Sequence, residues 1–220
     1  MKKSMDLPQL AELQPLFPFL NEELLAVGQL LSFEKNEPLV RQGEPLLQLY
    51  LLVSGKARIV KNEANGKRVI LQFLEAGDLI GELTVVDAEE ETKDVIALGE
   101  VTCLALPLPF VRKYYASEVA FAQYLAHYIG EKLLKRMEHF ANAQTFELKY
   151  RLAALLVEVA VQGRYEENNG QIADYLGVSY RHLMHTLKWL REQGYIEKQS
   201  GGYRLKVARL QTLLEEGATR

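Results

Sequence analysis

A chain of 220 residues, 48% of them hydrophobic, is long enough to bury a core and to form two domains. No apolar run reaches the ~20 residues that a transmembrane helix needs, and no apolar stretch follows the first lysines, so we expect no membrane partner and no signal peptide. A single cysteine, Cys103, excludes an intrachain disulfide and fits the reducing cytoplasm, and the net charge of -3 gives no overall attraction for nucleic acid.

The first half of the chain is predicted to hold one helix followed by many short strands. A helical lead-in over about 21–30 precedes alternating apolar runs that extend from about Leu39 to Leu106 and are separated by glycines. Asn65-Gly66 predicts a tight hairpin because both residues tolerate positive φ. Strands at intervals of ~8 to 12 residues are typical of a sandwich or jelly roll. Cys103 lies in the apolar run VTCLALP, and we expect a buried, inert thiol rather than a sensor.

A continuous long helix is predicted over about 110–143. Its apolar residues recur at intervals of four and three, namely Phe121, Leu125, Ile129, Leu133, Met137 and Phe140. Tyr124 and Tyr128 lie beside this stripe. A stripe this wide can cover the β-domain and also pair with a second copy, and we expect the seam of a homodimer at Phe121, Leu125, Tyr128 and Ile129. The alternative is a helix that packs on its own domain only. His127 and His139 are expected on its solvated face.

The stretch QIADYLGVSYRHLMHTLKWLREQGYI, residues 171–196, predicts two helices joined by a tight turn. Gly177 allows positive φ after the first helix, and Ser179 can cap the second. Leu183, Leu187 and Leu190 form the buried stripe of that second helix, which leaves a polar and aromatic face at its start for the major groove.

The segment after these helices favours DNA over a buried helical hairpin. YIEKQ-SGG-YRLK is a short hairpin that carries Lys198, and helix–turn–helix followed by a basic hairpin is the winged-helix arrangement. Residues 144–220 hold 11 Lys and Arg against 9 Asp and Glu, whereas residues 1–143 hold 15 against 20. The C-terminal third is therefore the part of the chain that can favour a phosphate backbone.

These segments together resemble the Crp/Fnr family of bacterial transcription regulators. The segments that carry the resemblance are VSGKARI, NGKRVILQFLEAGDLIGEL, the long helix and LGVSYRHLMHTLKWLREQGYIEK. Within the family, the sequences of the segments LGVSYRHL, SGGYRLK and TCLALP are similar to the YeiL-like branch. It implies an α+β chain with three parts: a cyclic-nucleotide-binding-like double-stranded β-helix (jelly-roll) domain over 1–109, a dimerisation helix over 110–143 and a winged helix–turn–helix domain over 144–220.

The resemblance also implies partners and base-reading positions. The partners are double-stranded DNA with near-palindromic operators, a second copy of the chain, and RNA polymerase as a further candidate. The base-reading positions fall on Tyr180, Arg181 and His185, where tyrosine and histidine depart from the residues common in the family. We add Ser179 and Lys188 as phosphate contacts and Lys198 in the wing.

The effector region keeps only part of the family's nucleotide pattern. Gly81, Glu82 and Leu83 match the segment that holds a ribose hydroxyl, but the arginine expected some ten residues later is missing from ETKD. Depending on the alignment, Glu91 or Thr92 stands at that position, and a glutamate would repel a phosphate whereas a threonine cannot neutralise it. Lys93 would be a point charge without the bidentate fork. We therefore expect no cyclic AMP binding and an effector of unknown identity. Gly81 and Glu82 would otherwise serve a turn and a local hydrogen bond.

Other classes of function fit the sequence less well. No histidine precedes His127, so a metal-dependent enzyme on the jelly roll lacks ligands, and we expect no enzyme, metal or cofactor. One cysteine cannot supply the four thiolates of an iron–sulfur cluster. A small-molecule-binding β-roll without DNA binding stays open as the alternative.

Overall fold

The computed structural model describes residues 3–4 and 10–218, and the chain divides into two compact units. Unit 1 comprises the described residues up to Ala64 together with Gln72–Leu133. Unit 2 comprises Asn65–Leu71 and the described residues from Leu134 onwards.

Unit 1 contains two antiparallel sheets and several helices. Its strands are β1 (Lys3–Ser4), β2 (Gln29–Phe33), β3 (Pro38–Val40), β4 (Gln48–Ser54), β5 (Lys56–Asn62), the second half of β6 (Arg68–Glu75), β7 (Leu79–Ile80), β8 (Asp94–Ala97) and β9 (Val101–Pro107). Its helices are α1 (Leu10–Leu13), α2 (Glu22–Val27), α3 (Glu82–Val85), α4 (Leu108–Tyr114) and the first part of α5 (Val119–Thr145). One sheet has the order β1-β2-β9-β4-β7 and the other the order β3-β8-β5-β6.

The five-stranded sheet is buried on both faces, and the alternation of side chains along each strand explains how. On β9, Cys103 and Ala105 join the core shared with the four-stranded sheet, whereas Leu104 and Leu106 face a second core that the helices cover. The same alternation runs along β4, with successive residues on opposite faces. The predicted jelly-roll-like domain and the α+β fold class are confirmed. Cys103 is fully buried, as predicted, and burial raises the pKa of its thiol to about 12.

The region between residues 107 and 119 differs from the prediction of one continuous helix. The chain forms α4, turns at residues 115–118 and restarts as α5. This turn lets Val111 and Phe121 reach the same core, and it buries Tyr115, whose hydroxyl donates to Glu23 Oε2 at 2.8 Å. The spacing of apolar residues does not reveal this break, because α4 and α5 both contribute apolar residues to the same core.

Two shorter segments also differ from the prediction. The helical lead-in ends at Val27, and Gln29–Phe33 is strand β2, because it pairs with β9 from Ala105 back to Val101. After β7, residues 82–85 form the short helix α3 instead of continuing as a strand.

Unit 2 contains the predicted winged helix–turn–helix. Its elements after α5 are α6 (Leu148–Val159), β10 (Arg164–Tyr165), α7 (Asn169–Tyr175), α8 (Tyr180–Glu192), β11 (Ile196–Gln199), β12 (Gly202–Leu205) and α9 (Val207–Ala218). The strands form a small sheet in the order β10-β12-β11. Strand β10 and helix α9 were not predicted. The domain boundaries expected after residues 109 and 143 both fall inside helices, α4 and α5, and the three-part division stays a prediction. In the part of the chain that the structure describes, no helix is long and apolar enough to cross a membrane.

Candidate nucleic-acid interface and effector region

The turn between α7 and α8 has the backbone geometry that its residues predict. Gly177 has a φ of 66°, in the left-handed region, and its amide donates to Asp174 O at 3.1 Å. Val178 N then donates to Ala173 O at 3.0 Å, and Ser179 Oγ accepts from His182 N at 3.2 Å as the N-cap of α8. These contacts satisfy backbone groups at the end of one helix and the start of the next, and so fix how α8 leaves the turn.

Helix α8 has a buried face and an exposed face. Leu183, Leu187 and Leu190 are fully buried, which sets the rotation of the helix about its axis. The opposite face exposes Arg181, His185 and Lys188 at intervals of four and three. The residues predicted to read bases or hold phosphates on this helix therefore share one accessible face, on which Tyr180 is 57% exposed.

The wing presents cationic side chains next to its turn. Strands β11 and β12 pair from Ile196↔Leu205 to Gln199↔Gly202, around a turn in which Gly201 has a φ of 80°. Lys198 is exposed, and its Nζ lies 4.5 Å from the centroid of the Tyr203 ring, so the aromatic ring steadies this lysine.

Arg151, which the sequence did not single out, and His139 hold the C-terminal end of α7. Arg151 donates through Nη1 to Leu176 O at 2.9 Å and through Nε to Phe146 O at 3.1 Å. His139 Nε2 lies 3.5 Å from Tyr175 O, and the two aromatic rings are 4.6 Å apart. His139 is therefore half-buried against α7, and its predicted place on a solvated face is wrong. His127 is exposed and lies 3.3 Å from Glu131.

The predicted effector residues in unit 1 are engaged with other parts of that unit. Gly81 has a φ of 103°, and a Cβ there would meet Leu46 Cδ2 at 2.4 Å, so the position needs glycine. The Thr92 hydroxyl lies 2.9 Å from Glu44 O and 3.1 Å from Arg41 O, which ties two loops together. Leu83 is half-buried on α3.

The lysine expected to face an anion is already paired. Lys93 Nζ forms an ion pair with Glu89, and it also donates to Glu91 O at 3.1 Å. The Lys93 side chain is 29% exposed and that of Glu89 is 14% exposed, so water screens this pair only partly. A phosphate would have to displace a carboxylate that is covalently part of the same chain. Among the described residues, no group of three His, Cys, Asp or Glu side chains is arranged to hold a metal ion.

A second buried ionic contact joins α5 to the sheet. Tyr128 Oη accepts from Leu79 N at 2.8 Å and lies 3.2 Å from Asp78 Oδ1, and Lys132 forms an ion pair with the same carboxylate. Nearby, Glu82 is half-buried at the start of α3. Burial raises the pKa of Glu82 to about 7, against the lowering effects of its own backbone amide and of the Lys132 charge.

The four residues predicted as a dimer seam all belong to unit 1 and are largely buried within it. Phe121, Leu125 and Tyr128 are buried in the core that the helices share with the five-stranded sheet, and Ile129 packs against it. They are covered within a single chain and have little surface left for a partner. Apart from Val119 at its first position, the large exposed apolar side chains of α5 lie in its second half, at Leu133, Leu134, Met137 and Phe140.

Comparison with known proteins gives two family models that match in the expected order. The cyclic nucleotide-binding domain matches residues 30–118, and the Crp-like helix-turn-helix domain matches residues 150–216. The regulatory protein YeiL of Escherichia coli O157:H7 is 32% identical over 184 residues, which is 84% of this chain and 84% of that protein. The cyclic AMP receptor protein of Thermus thermophilus is 26% identical over 191 residues, covering 84% of this chain and 85% of its own.

Solved structures agree on the fold. A transcriptional regulator structure from Eubacterium rectale, described as of the Crp/Fnr family, superposes with a TM-score of 0.70 at 16% identity and covers 91% of this chain and 98% of its own. At this identity the likeness supports the fold alone.

The buried carboxyl of Glu82 predicts a pH-dependent stability. Its pKa in the folded chain, about 7, exceeds the 4.5 of a free carboxyl, so the folded state binds more protons between these values and stability falls as pH rises through this window. Glu82→Gln removes the titration, and we expect the variant to match the wild type near about pH 4.5 and to be more stable by about 1–3 kcal/mol above about pH 7. Thermal denaturation across this range measures the difference. Glu90→Gln, an exposed carboxyl nearby, is the matched control, and parallel curves for wild type and Glu82→Gln would refute the prediction.

Proposed function

The chain belongs to the Crp/Fnr family of transcription regulators, and we propose that it binds near-palindromic DNA as a homodimer through α8 and the β11–β12 wing. The observation that carries this proposal is the division of α8 into a fully buried leucine stripe and an exposed face with Arg181, His185 and Lys188. A rigid helix with one polar face free is what a major groove can accept. We assign no catalytic role to any residue, and we propose a cytoplasmic location, where the DNA is.

Each residue of the interface has a distinct role in this proposal. Arg181 reaches a base edge, with guanine as the partner that its bidentate fork fits. The Ser179 oxygen accepts from the backbone, which leaves the hydroxyl hydrogen to donate to a phosphate, and Lys188 and Lys198 contact phosphates from α8 and the wing. Transcription activation would add RNA polymerase as a partner.

The dimer seam proposed here is the exposed apolar face of α5. Ala126, Gly130, Leu133, Met137 and Phe140 follow one another at intervals of four, three, four and three, which is the repeat of a two-helix seam. Leu133 is 57%, Met137 59% and Phe140 68% exposed in the single chain, so this face is apolar and open. Ala126 and Gly130 are small, which lets two helix backbones approach each other. Two recognition helices would then meet half-sites about 34 Å apart, one turn of DNA.

The base-reading role of Arg181 is tested by binding-site selection followed by anisotropy titrations with half-sites permuted one base at a time. Arg181→Ala should cost about 1–3 kcal/mol against the selected sequence and lose discrimination at one position per half-site. Lys188→Ala is the control, because losing a phosphate contact weakens all sequences alike and lowers the salt slope by about one. If Arg181→Ala also weakens all sequences equally, Arg181 contacts only phosphate. If the protein shows no salt-sensitive binding to DNA, the alternative function is favoured, a β-roll that binds a small molecule and no DNA.

The seam is tested by placing a charge on it. Leu133→Glu would bury an unpaired carboxylate from each copy, and we expect the dimer dissociation constant to rise by about 100-fold or more, measured by sedimentation over a range of concentrations. Val86→Glu, at an exposed apolar residue outside α5, is the matched control and should stay dimeric. Leu125→Glu changes the core of unit 1 and should unfold that unit instead. A Leu133→Glu protein that dimerises like the wild type would move the interface elsewhere.

We also propose that the chain does not bind cyclic AMP. Lys93 is already paired with Glu89, and the arginine that would pair with the cyclic phosphate is missing from ETKD. Calorimetry with cyclic AMP and cyclic GMP should give no binding in the micromolar range. Glu89→Gln frees Lys93 and is the informative variant, since a gain of binding would identify the ion pair as the obstacle. A micromolar isotherm for the wild type that Glu82→Ala abolishes would contradict the proposal.

A further inference from the structure

The exposed face of α8 carries an apolar edge beside its polar one. Tyr180 stands at the first position of the helix and is 57% exposed, and Met184 lies one turn later and is half-buried. Residues four apart on a helix are neighbours on its surface, so these two side chains lie along one apolar strip of α8. Arg181 and His185 follow them by one position each and form the parallel polar strip.

Met184 is held in place, although methionine is ordinarily a flexible side chain. Asn169 Nδ2 lies 3.7 Å from the Met184 sulfur, and Asn169 Oδ1 accepts from the Tyr165 hydroxyl at 3.1 Å. Tyr165 is 1% exposed and so belongs to the core of unit 2. A chain of contacts therefore runs from the core through α7 to a thioether on the recognition helix, which orders that side chain before any ligand arrives.

We propose that Tyr180 and Met184 form an apolar contact that recognises the C5 methyl group of thymine in the major groove, next to the base that Arg181 reads. Thymine is the one base whose major-groove edge carries a methyl group, and apolar side chains distinguish it by contact. A thioether and the carbon atoms of an aromatic ring offer no strong hydrogen bond to a polar base edge. The inference rests on the proposed DNA binding and extends it from a phosphate and guanine contact to a specific preference for thymine.

The alternative role for Tyr180 is a phosphate contact through its hydroxyl, with Met184 serving only the packing of α8 on α7. Both alternatives predict weaker binding when the residues are truncated, so affinity alone does not separate them. The thymine methyl does, because it can be removed from the DNA while the protein stays unchanged.

The test compares thymine with uracil in the DNA selected by the full-length protein. Each thymine of one half-site is replaced in turn by deoxyuridine, which removes one methyl group and nothing else. At one position we expect about fourfold weaker binding by the wild type, the effect of one buried carbon group. Met184→Ala should reduce this thymine/uracil ratio to about one, and Met184→Leu, which keeps an apolar side chain of similar size, should preserve it. Because the ratio is taken within each variant, a loss of folded protein cancels.

The outcomes separate the two proposals. Equal affinity for thymine and uracil at every position, with sequence-specific binding intact, would overturn the methyl contact and leave the DNA-binding proposal standing. Tyr180→Phe should keep both the affinity and the thymine/uracil ratio. If the ratio is kept but all sequences bind more weakly, the Tyr180 hydroxyl contacts a phosphate and Tyr180 is removed from the proposal. If selection enriches no sequence, the proposed DNA function itself fails. Deoxyuridine placed outside the half-sites is the control and should have no effect.

Discussion

The rotation of α5 about its own axis is the constraint on which the proposed assembly depends. Tyr128 accepts a hydrogen bond from Leu79 N, and Lys132, four residues later, pairs with Asp78, so one face of the helix is fixed against the five-stranded sheet. At 3.6 residues per turn, this leaves the face with Leu133 turned outwards. An apolar ridge in water is unfavourable, and in the proposed dimer a second copy of the same ridge would cover it through two-fold symmetry.

The sequence alone predicts the features that depend on nearby residues and misses those that depend on distant ones. The positive φ of Gly177, the cap at Ser179 and the leucine stripe of α8 could be predicted because each depends on residues within one or two helical turns. The apolar stripe of α5 could be found from the spacing of its residues. The spacing could not show that Phe121 and Leu125 face the core while Leu133 and Met137 are exposed, since both pairs have the same interval of four. Arg151 escaped prediction because its partners are backbone carbonyls, one of them 25 residues away, which leave no mark on composition or spacing.

Charge in the effector region is largely balanced within the chain. Lys93 pairs with Glu89 and Lys132 pairs with Asp78, so two cations that could attract an anion each face a carboxylate. Glu82 adds a third carboxyl whose charged form is disfavoured by burial. An anionic ligand would therefore have to break an ion pair as it enters, and a neutral ligand would meet less opposition.

The contacts behind α8 separate affinity from sequence preference. Arg151 and His139 act on the carbonyls at the end of α7 and do not lie on the reading face, so they influence where α8 sits rather than which base it meets. Each carbonyl left without its partner would loosen the turn that leads into Ser179, and every DNA sequence would feel that loss equally. In the proposed complex, Arg181 on the exposed face would act on an individual base. Positioning and reading would thus reside in different residues of the same small unit, and a substitution in one group would leave the chemistry of the other intact.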